Sequence, residues 1–384
     1  MLRYINRTIA ILSIFFPYLI ISGVPFYTGF LIWNSKKSFL LDCLRSKGLV
    51  LSLVLSLFYA ALLFALRTDI RNEDILLFFS PIILMVLTHC FTGLSSTDKK
   101  LSFLKLYIII QLCVLLIQKS GLQLPFLDSL ILHNSIEIAK TEAWYNNQQN
   151  RPGGTISHPI WMTLTSYLFA KIIDNKLKSK VFLYLVVLMA VISASRTTIL
   201  AIAIAEIIIF SHALAQKGLN RKDARKFLVV LISFLVITYI ALDNSALLQK
   251  YIQMFKSGAS FSQIVMQDYS YTYRTQMYSE LISKPDCIFF GCYSNSTLMF
   301  IYPYIDSEIV HRAYQIGGIG FLSIVICIWM LVRRCLLSTD LKIALISVIA
   351  ISVLTTYFFT NMLLLLSLSV FLAYNYSSAK NHEK

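Results

Sequence analysis

Three arginines stand where a guanidinium has most to do. Arg151 opens Arg151-Pro-Gly-Gly-Thr-Ile-Ser-His158-Pro, Arg196 closes Ser193-Ala-Ser-Arg196, and Arg274 lies in Tyr271-Thr-Tyr-Arg274-Thr-Gln-Met-Tyr278. Each presents a planar fork of donors that never loses its charge, so three converging on one point would hold a diphosphate. The alternative is three separate arginines meeting lipid headgroups. Near the first of them, Trp144 and Tyr145 precede a run of amides, Asn146, Asn147, Gln148, Gln149 and Asn150. That mixture suits a sugar ring, and it equally suits an interfacial loop with an aromatic belt. Gly153 and Gly154 permit a tight turn, and His158 can hydrogen-bond a sugar or phosphate or serve a structural role.

Candidate acid–base groups stand at the mouth of a later apolar stretch: Asp306, Glu308 and His311, followed by Arg312. A carboxylate or imidazole there can remove a proton from an acceptor hydroxyl. Asp306 and His311 do not share one clean helical face. Glu308 reaches His311 at i,i+3 and Arg312 at i,i+4. The plainer reading is a helix start with acidic residues favoured by the dipole and a Glu308–Arg312 pair.

The elements that position these groups are membrane helices. The chain has 384 residues, 57% hydrophobic and 14% charged, with a mean hydropathy of +0.70. That is too little charge to cover a soluble protein of this size. Runs of about 20 apolar residues bounded by charge fall near 8–32, 48–66, 75–92, 102–118, 157–173, 181–195, 197–215, 227–243, 311–332, 342–359 and 361–376. The first contains Pro17, Gly23, Pro25 and Gly29 and can be a broken helix or a hairpin, which makes the count about 11–12. Residues 1–384 therefore read as a single all-α, polytopic transmembrane domain. No cleavable-signal pattern precedes the first run.

The net charge of +15 (34 Lys and Arg against 19 Asp and Glu) raises nucleic-acid binding as one explanation. The basic residues gather at every second connector: Lys36, Lys37, Arg45 and Lys47; Lys99 and Lys100; Lys176, Lys178 and Lys180; Lys217, Arg221, Lys222, Arg225 and Lys226; Arg333, Arg334 and Lys342. The positive-inside bias makes these the cytoplasmic loops and the excess mainly topological, with no nucleic-acid partner. The opposite, periplasmic side receives 67–74, a loop at 119–156, the turn near Ser193, and the large loop at 244–310. All three arginines belong to it. Cys287 and Cys292 share the large loop and can pair if it is oxidising. No zinc-like ligand spacing and no phosphate-cradling glycine loop occurs. Only the first half has an obvious broken span, and the span interiors are nearly free of charge apart from Glu206; both features speak against a transporter.

Together these segments resemble the bacterial O-antigen polymerase and ligase superfamily of membrane glycosyltransferases. The matching pieces are the Arg151-to-Pro159 stretch, Ser193-Ala-Ser-Arg196-Thr-Thr-Ile-Leu, Arg274 followed by Pro285 and Gly291, and Asp306 preceding Gly317-Gly-Ile-Gly320. The resemblance implies a GT-C-like fold, no cofactor or metal, and a pyrophosphate held by Arg151, Arg196 and Arg274. The donor it implies is an undecaprenyl-diphosphate-linked oligosaccharide. The acid–base position of ligases is a histidine in this superfamily, and here Asp306 occupies it, with His311 five residues on. An acidic residue there looks more like the polymerase (Wzy-type) branch. The implied reaction joins lipid-linked repeat units at the periplasmic face of the inner membrane, with the C-terminus cytoplasmic, and the implied partners are a chain-length regulator and a flippase. A ligase acting on lipid A–core and a lipid-linked oligosaccharide flippase are the alternatives.

Overall fold

A computed structural model describes residues 38–71, 74–75, 77–97, 101–122, 159–193, 195–217, 269–301, 307–335, 338–355 and 362–382. Among them the chain is helical and without strands: α1 (Ser38–Leu44), α2 (Lys47–Leu66), a 3-10 turn (Leu77–Phe79), α3 (Ser80–Thr97), α4 (Ser102–Ser120), α5 (Pro159–Leu177), α6 (Val181–Ile192), α7 (Arg196–Lys217), α8 (Tyr269–Ser283), α9 (Pro285–Phe290), α10 (Asn295–Ile301), α11 (Glu308–Cys335), α12 (Thr339–Thr355) and α13 (Met362–His382). Five stretches are long and apolar enough to cross a bilayer: Lys47–Leu66, Leu77–Leu94, Ser102–Ser120, Thr197–Gln216 and Glu308–Cys335. This is a membrane protein. Nine of the apolar runs coincide with described helices. The other two, 8–32 and 227–243, lie outside the described residues.

Helix α13 sits in the middle, buried from Leu364 to Asn375 and packed against α3, α5 and α11. A helix apolar on every side must be enclosed or lipid-bound, and this one is enclosed. Helix α2 differs. It turns Leu51, Val54, Leu55, Phe58 and Leu62 away from the bundle and buries the small Ser56 and Ala60. Ser323 of α11 donates from Oγ to Ser56 Oγ at 3.1 Å, and Gly320 of α11 lies against Tyr59. Small residues let two membrane helices approach closely where apolar side chains have no water to escape.

Side-chain contacts fix the directions. Gly48 meets Met330 and Tyr59 meets Gly320, so α2 and α11 are antiparallel. Thr165 bonds Ser367 at 2.8 Å, and Lys176 lies 5.6 Å over the Tyr374 ring, so α5 and α13 are parallel. Tyr376 donates to Asp42 just before α2 begins. One end of the bundle therefore collects Lys47, Lys176 and the Arg333–Arg334 pair. The starts of α5, α7 and α11 lie at the other end. The large loop is not featureless: 269–301 folds into α8, α9 and α10 against the start of α11.

Candidate functional site

Helix α11 is interrupted at Gly317, whose φ of 76° and ψ of 159° no side-chain-bearing residue adopts comfortably. The residues from 318 to 335 cover about 27 Å at 1.5 Å per residue, close to a bilayer's hydrocarbon thickness. Residues 308–316 form a separate short helix beyond them. The sequence showed an obvious broken span only in the first half, and this break in the second half was not expected. The break is imposed by α9: a Cβ on Gly317 would lie 2.2 Å from Phe289 O, and one on Gly318 would lie 2.7 Å from Ile288 O.

Breaking a helix strands carbonyls that must find donors. Tyr314 O accepts from Cys292 N at 2.8 Å and Tyr293 N at 3.1 Å. Gln315 O accepts from Arg67 Nη1 at 2.8 Å, and Ile316 O from Tyr59 Oη at 3.3 Å. Tyr59 Oη also meets Phe289 O at 3.1 Å. Arg67 is itself gripped by Asp69, with Nε to Oδ1 at 2.9 Å and Nη2 to Oδ2 at 2.5 Å. That double bond from the guanidinium holds the Asp69 carboxyl below its ordinary range. Cys287 and Cys292 form a disulfide across the α9 turn, where Gly291 has a φ of 74°.

The short helix above the break carries the polar cluster. Glu308, His311, Arg312 and Gln315 are all buried, together with Asp74. Arg312 Nε lies 3.6 Å from Glu308 Oε1, the i,i+4 pair read from the sequence. Arg312 Nη1 donates to Gln315 Oε1. Gln315 Nε2 donates at 2.5 Å to Asp74 Oδ1, whose partner Oδ2 accepts from Arg71 N at 2.9 Å. The Gln315 amide thus accepts from a cation and donates to an anion, linking Glu308 to Asp74 in one chain of alternating partners. The alternation neutralises a buried guanidinium while keeping it at the bundle's end. Asp74, Gln315 and Arg67 were not singled out by sequence reasoning, since their contacts span some 240 residues and leave no local spacing to read.

Helix α8 docks on this segment. Tyr278 Oη donates to Ser307 Oγ at 3.2 Å, and Tyr314 Oη donates to Met277 O at 3.2 Å. Arg274 stands in α8 one turn before Met277 and Tyr278, and so in the element packed beside Glu308 and His311. Arg196 is the first residue of α7. The turn before it is closed by Ser193 N to Met189 O (2.9 Å) and Ser195 N to Ala190 O (3.0 Å). A hydroxyl chain, Ser195 Oγ to Thr198 Oγ1 to Thr163 Oγ1, each 2.7 Å, ties that turn to the first turn of α5. The first residue of α7, the start of α5 at Pro159 and the Glu308–Gln315 segment therefore share one end of the bundle. Arg151, Trp144, Tyr145, His158 and Asp306 lie outside the described residues.

A second polar group sits within the bundle. Lys171 Nζ of α5 meets Glu206 Oε1 of α7 at 2.9 Å, and Tyr167 Oη donates to the same oxygen at 2.8 Å. Asp174 Oδ2 is 3.8 Å from Lys171 Nζ. Glu206 thus has its partner. Lys171 lies inside the 157–173 run and was not singled out from the sequence, which named Glu206 alone as a charge within the spans; its amine turns inward. The hint was available: Tyr167 and Lys171 are i,i+4 on one face.

Among the described residues no three His, Cys, Asp or Glu side chains gather as metal ligands. Comparison with protein-family models, with curated proteins and with solved structures gives no match to this chain.

Proposed function

We propose that this protein is a metal-independent membrane glycosyltransferase, an O-antigen-type polysaccharide polymerase that joins undecaprenyl-diphosphate-linked repeat units at the periplasmic face of the inner membrane. The observation that carries the reading is the docking of α8, the helix bearing Arg274, on the buried Glu308–Gln315 segment, at the bundle end where α7 begins with Arg196. A cationic receptacle beside carboxylate and imidazole groups, at the end of an apolar bundle, suits a substrate with a diphosphate, a glycan and a long lipid tail.

In that reaction an acceptor hydroxyl oxygen bonds to the anomeric carbon of the donor glycan. The bond from that carbon to the diphosphate oxygen breaks, and undecaprenyl diphosphate leaves. Arg151, Arg196 and Arg274 stabilise the charge that grows on the leaving oxygens. Asp306, Glu308 or His311 takes the hydroxyl proton. Trp144, Tyr145 and His158 hold the sugars. Direct displacement inverts the anomeric centre.

The test is incubation of purified protein with a lipid-linked repeat unit alone. Chain growth without lipid A–core is expected, and growth only when lipid A–core is supplied would make the protein a ligase. Arg196→Ala with Arg274→Ala should abolish growth while the protein still inserts; retained long polymer would overturn the diphosphate clamp.

A flippase or transporter is the second reading, favoured by the Lys171–Glu206 pair inside the bundle and by the break in α11. Movement of lipid-linked oligosaccharide across proteoliposomes, with no change in glycan length, would select it.

A further inference from the structure

We infer that α9 is an interfacial anchor: Phe289 and Phe290 insert between lipid acyl chains at the bilayer edge beside the end of α2. The two rings are adjacent, with centroids 6.5 Å apart, and are 52% and 50% exposed. Two neighbouring phenylalanines left in water would be an exposed apolar patch of the kind that marks an interaction site.

Depth identifies the occupant. Phe289 O is bonded to Tyr59 Oη and Phe290 O lies 3.4 Å from Arg67 Nη1. Tyr59 and Arg67 bracket the last two turns of α2, about 10 Å of helix, and α2 is one of the stretches fit to span. On those same turns Leu62, Phe64 and Leu66 face away from the bundle, as does Phe58 just before them. The rings of α9 therefore continue the lipid-facing surface of α2. A second protein would have to compete there with lipid already touching α2.

The local chemistry agrees. The α9 carbonyls that would be costly at this depth are met by Tyr59 and Arg67, so its backbone can lie at the hydrocarbon edge. Lys284, at the start of α9, stands 5.9 Å over the Tyr293 ring, the pairing of amine and aromatic common at headgroup level. The disulfide and the Gly291 turn hold the two rings in place. The anchor fixes the α8–α10 cap, and with it the Glu308–Gln315 segment, at headgroup depth. This inference does not rest on the proposed reaction.

Photo-crosslinking tests it. p-Benzoylphenylalanine, close in shape to phenylalanine, is placed at positions 289, 290 and 58 of the full chain in phosphatidylethanolamine–phosphatidylglycerol vesicles. Lipid adducts at 289 and 290 comparable to those at 58 are expected. Adducts at 58 with none at 289 or 290, or a crosslinked dimer from either, would overturn the anchor. As an independent variant, Phe290→Trp in vesicles of acyl-chain-brominated phosphatidylcholine should show stronger fluorescence quenching than the unsubstituted chain; unchanged quenching would also overturn it.

Discussion

The protein holds its buried charges in two different ways. Around α11 the cluster of Asp74, Gln315, Arg312 and Glu308 sits above an interrupted helix, whose freed carbonyls are met by Tyr59 of α2, by Arg67 and by the backbone N–H groups of Cys292 and Tyr293. Between α5 and α7, Lys171 and Tyr167 both meet Glu206 across two unbroken helices. The first arrangement depends on irregular backbone and on segments remote in sequence. The second needs only that two helices pack in register. The difference separates a region built to present groups at the bundle's end from one that locks the bundle's middle. It also makes the two regions fail differently when altered.

The largest effect is expected at the break. Gly317→Ala forces a side chain into a backbone region that costs about 1–3 kcal/mol for a non-glycine residue. It also drives a Cβ onto Phe289 O, and overpacking of this kind adds about 1–3 kcal/mol. Because the atom met is backbone, the α9 turn itself must move. A loss of about 4 kcal/mol in total is expected, read as a large drop in thermal stability in detergent together with loss of polymer growth. If Gly317→Ala leaves the melting temperature unchanged, the interlock of α9 and α11 is not what holds the outer segment.

Next comes the middle. Removing one member of a buried pair costs about 3–5 kcal/mol, and Lys171→Met should fall at the lower end, about 3 kcal/mol, since Tyr167 Oη still donates to Glu206 once the amine is gone. Lys171→Met combined with Glu206→Gln should recover most of the loss. A double variant as unstable as the single one would show that the pair is not a closed unit. Under the polymerase reading, the double variant should still extend polymer. Loss of activity with stability restored would favour the transporter.

These contrasts explain what could be read from the sequence. Apolar length and charge at every second connector gave α2, α4, α7 and α11 within a few residues, because burial in lipid demands a long apolar helix whatever its neighbours. The Glu308–Arg312 pair was legible because it is local to one helix. Gly317 was not: its positive φ is required by Phe289, which arrives from another element, and nothing in Gly-Gly-Ile-Gly distinguishes a break from close packing. Lys171 was passed over because a lysine three residues before Asp174 and five before Lys176 does not stand out from the charges that follow the run. Its inward turn depends on Glu206, in a helix one hairpin further on.

A smaller effect is expected from the clasp between the end of α2 and the outer half of α11. Arg67→Ala removes a charged donor from Gln315 O, worth about 2 kcal/mol, and leaves the middle pair untouched. Its effect should add independently to that of Lys171→Met in a double-variant melt. Non-additivity beyond about 0.5 kcal/mol would mean the two regions communicate.

The smallest effect is that of Asp69, and it is set by pH. Arg67 lowers the Asp69 carboxyl in the folded protein relative to the unfolded chain. A lowered carboxyl contributes stability that is fully present above its unfolded value, about pH 4, and that fades as pH falls through the folded value. The stability gap between the unsubstituted protein and Asp69→Asn should therefore be constant from neutral pH down to about pH 4 and close below it. Asp69 is partly exposed, so the gap should be small and should shrink further in high salt. In an Arg67→Ala background most of the gap should vanish, leaving the part that the backbone hydrogen bond from Ser294 contributes. If it persisted undiminished, Asp69 would not be acting through Arg67, and the bond between the two would not be what steadies the Arg67 clasp on the broken helix.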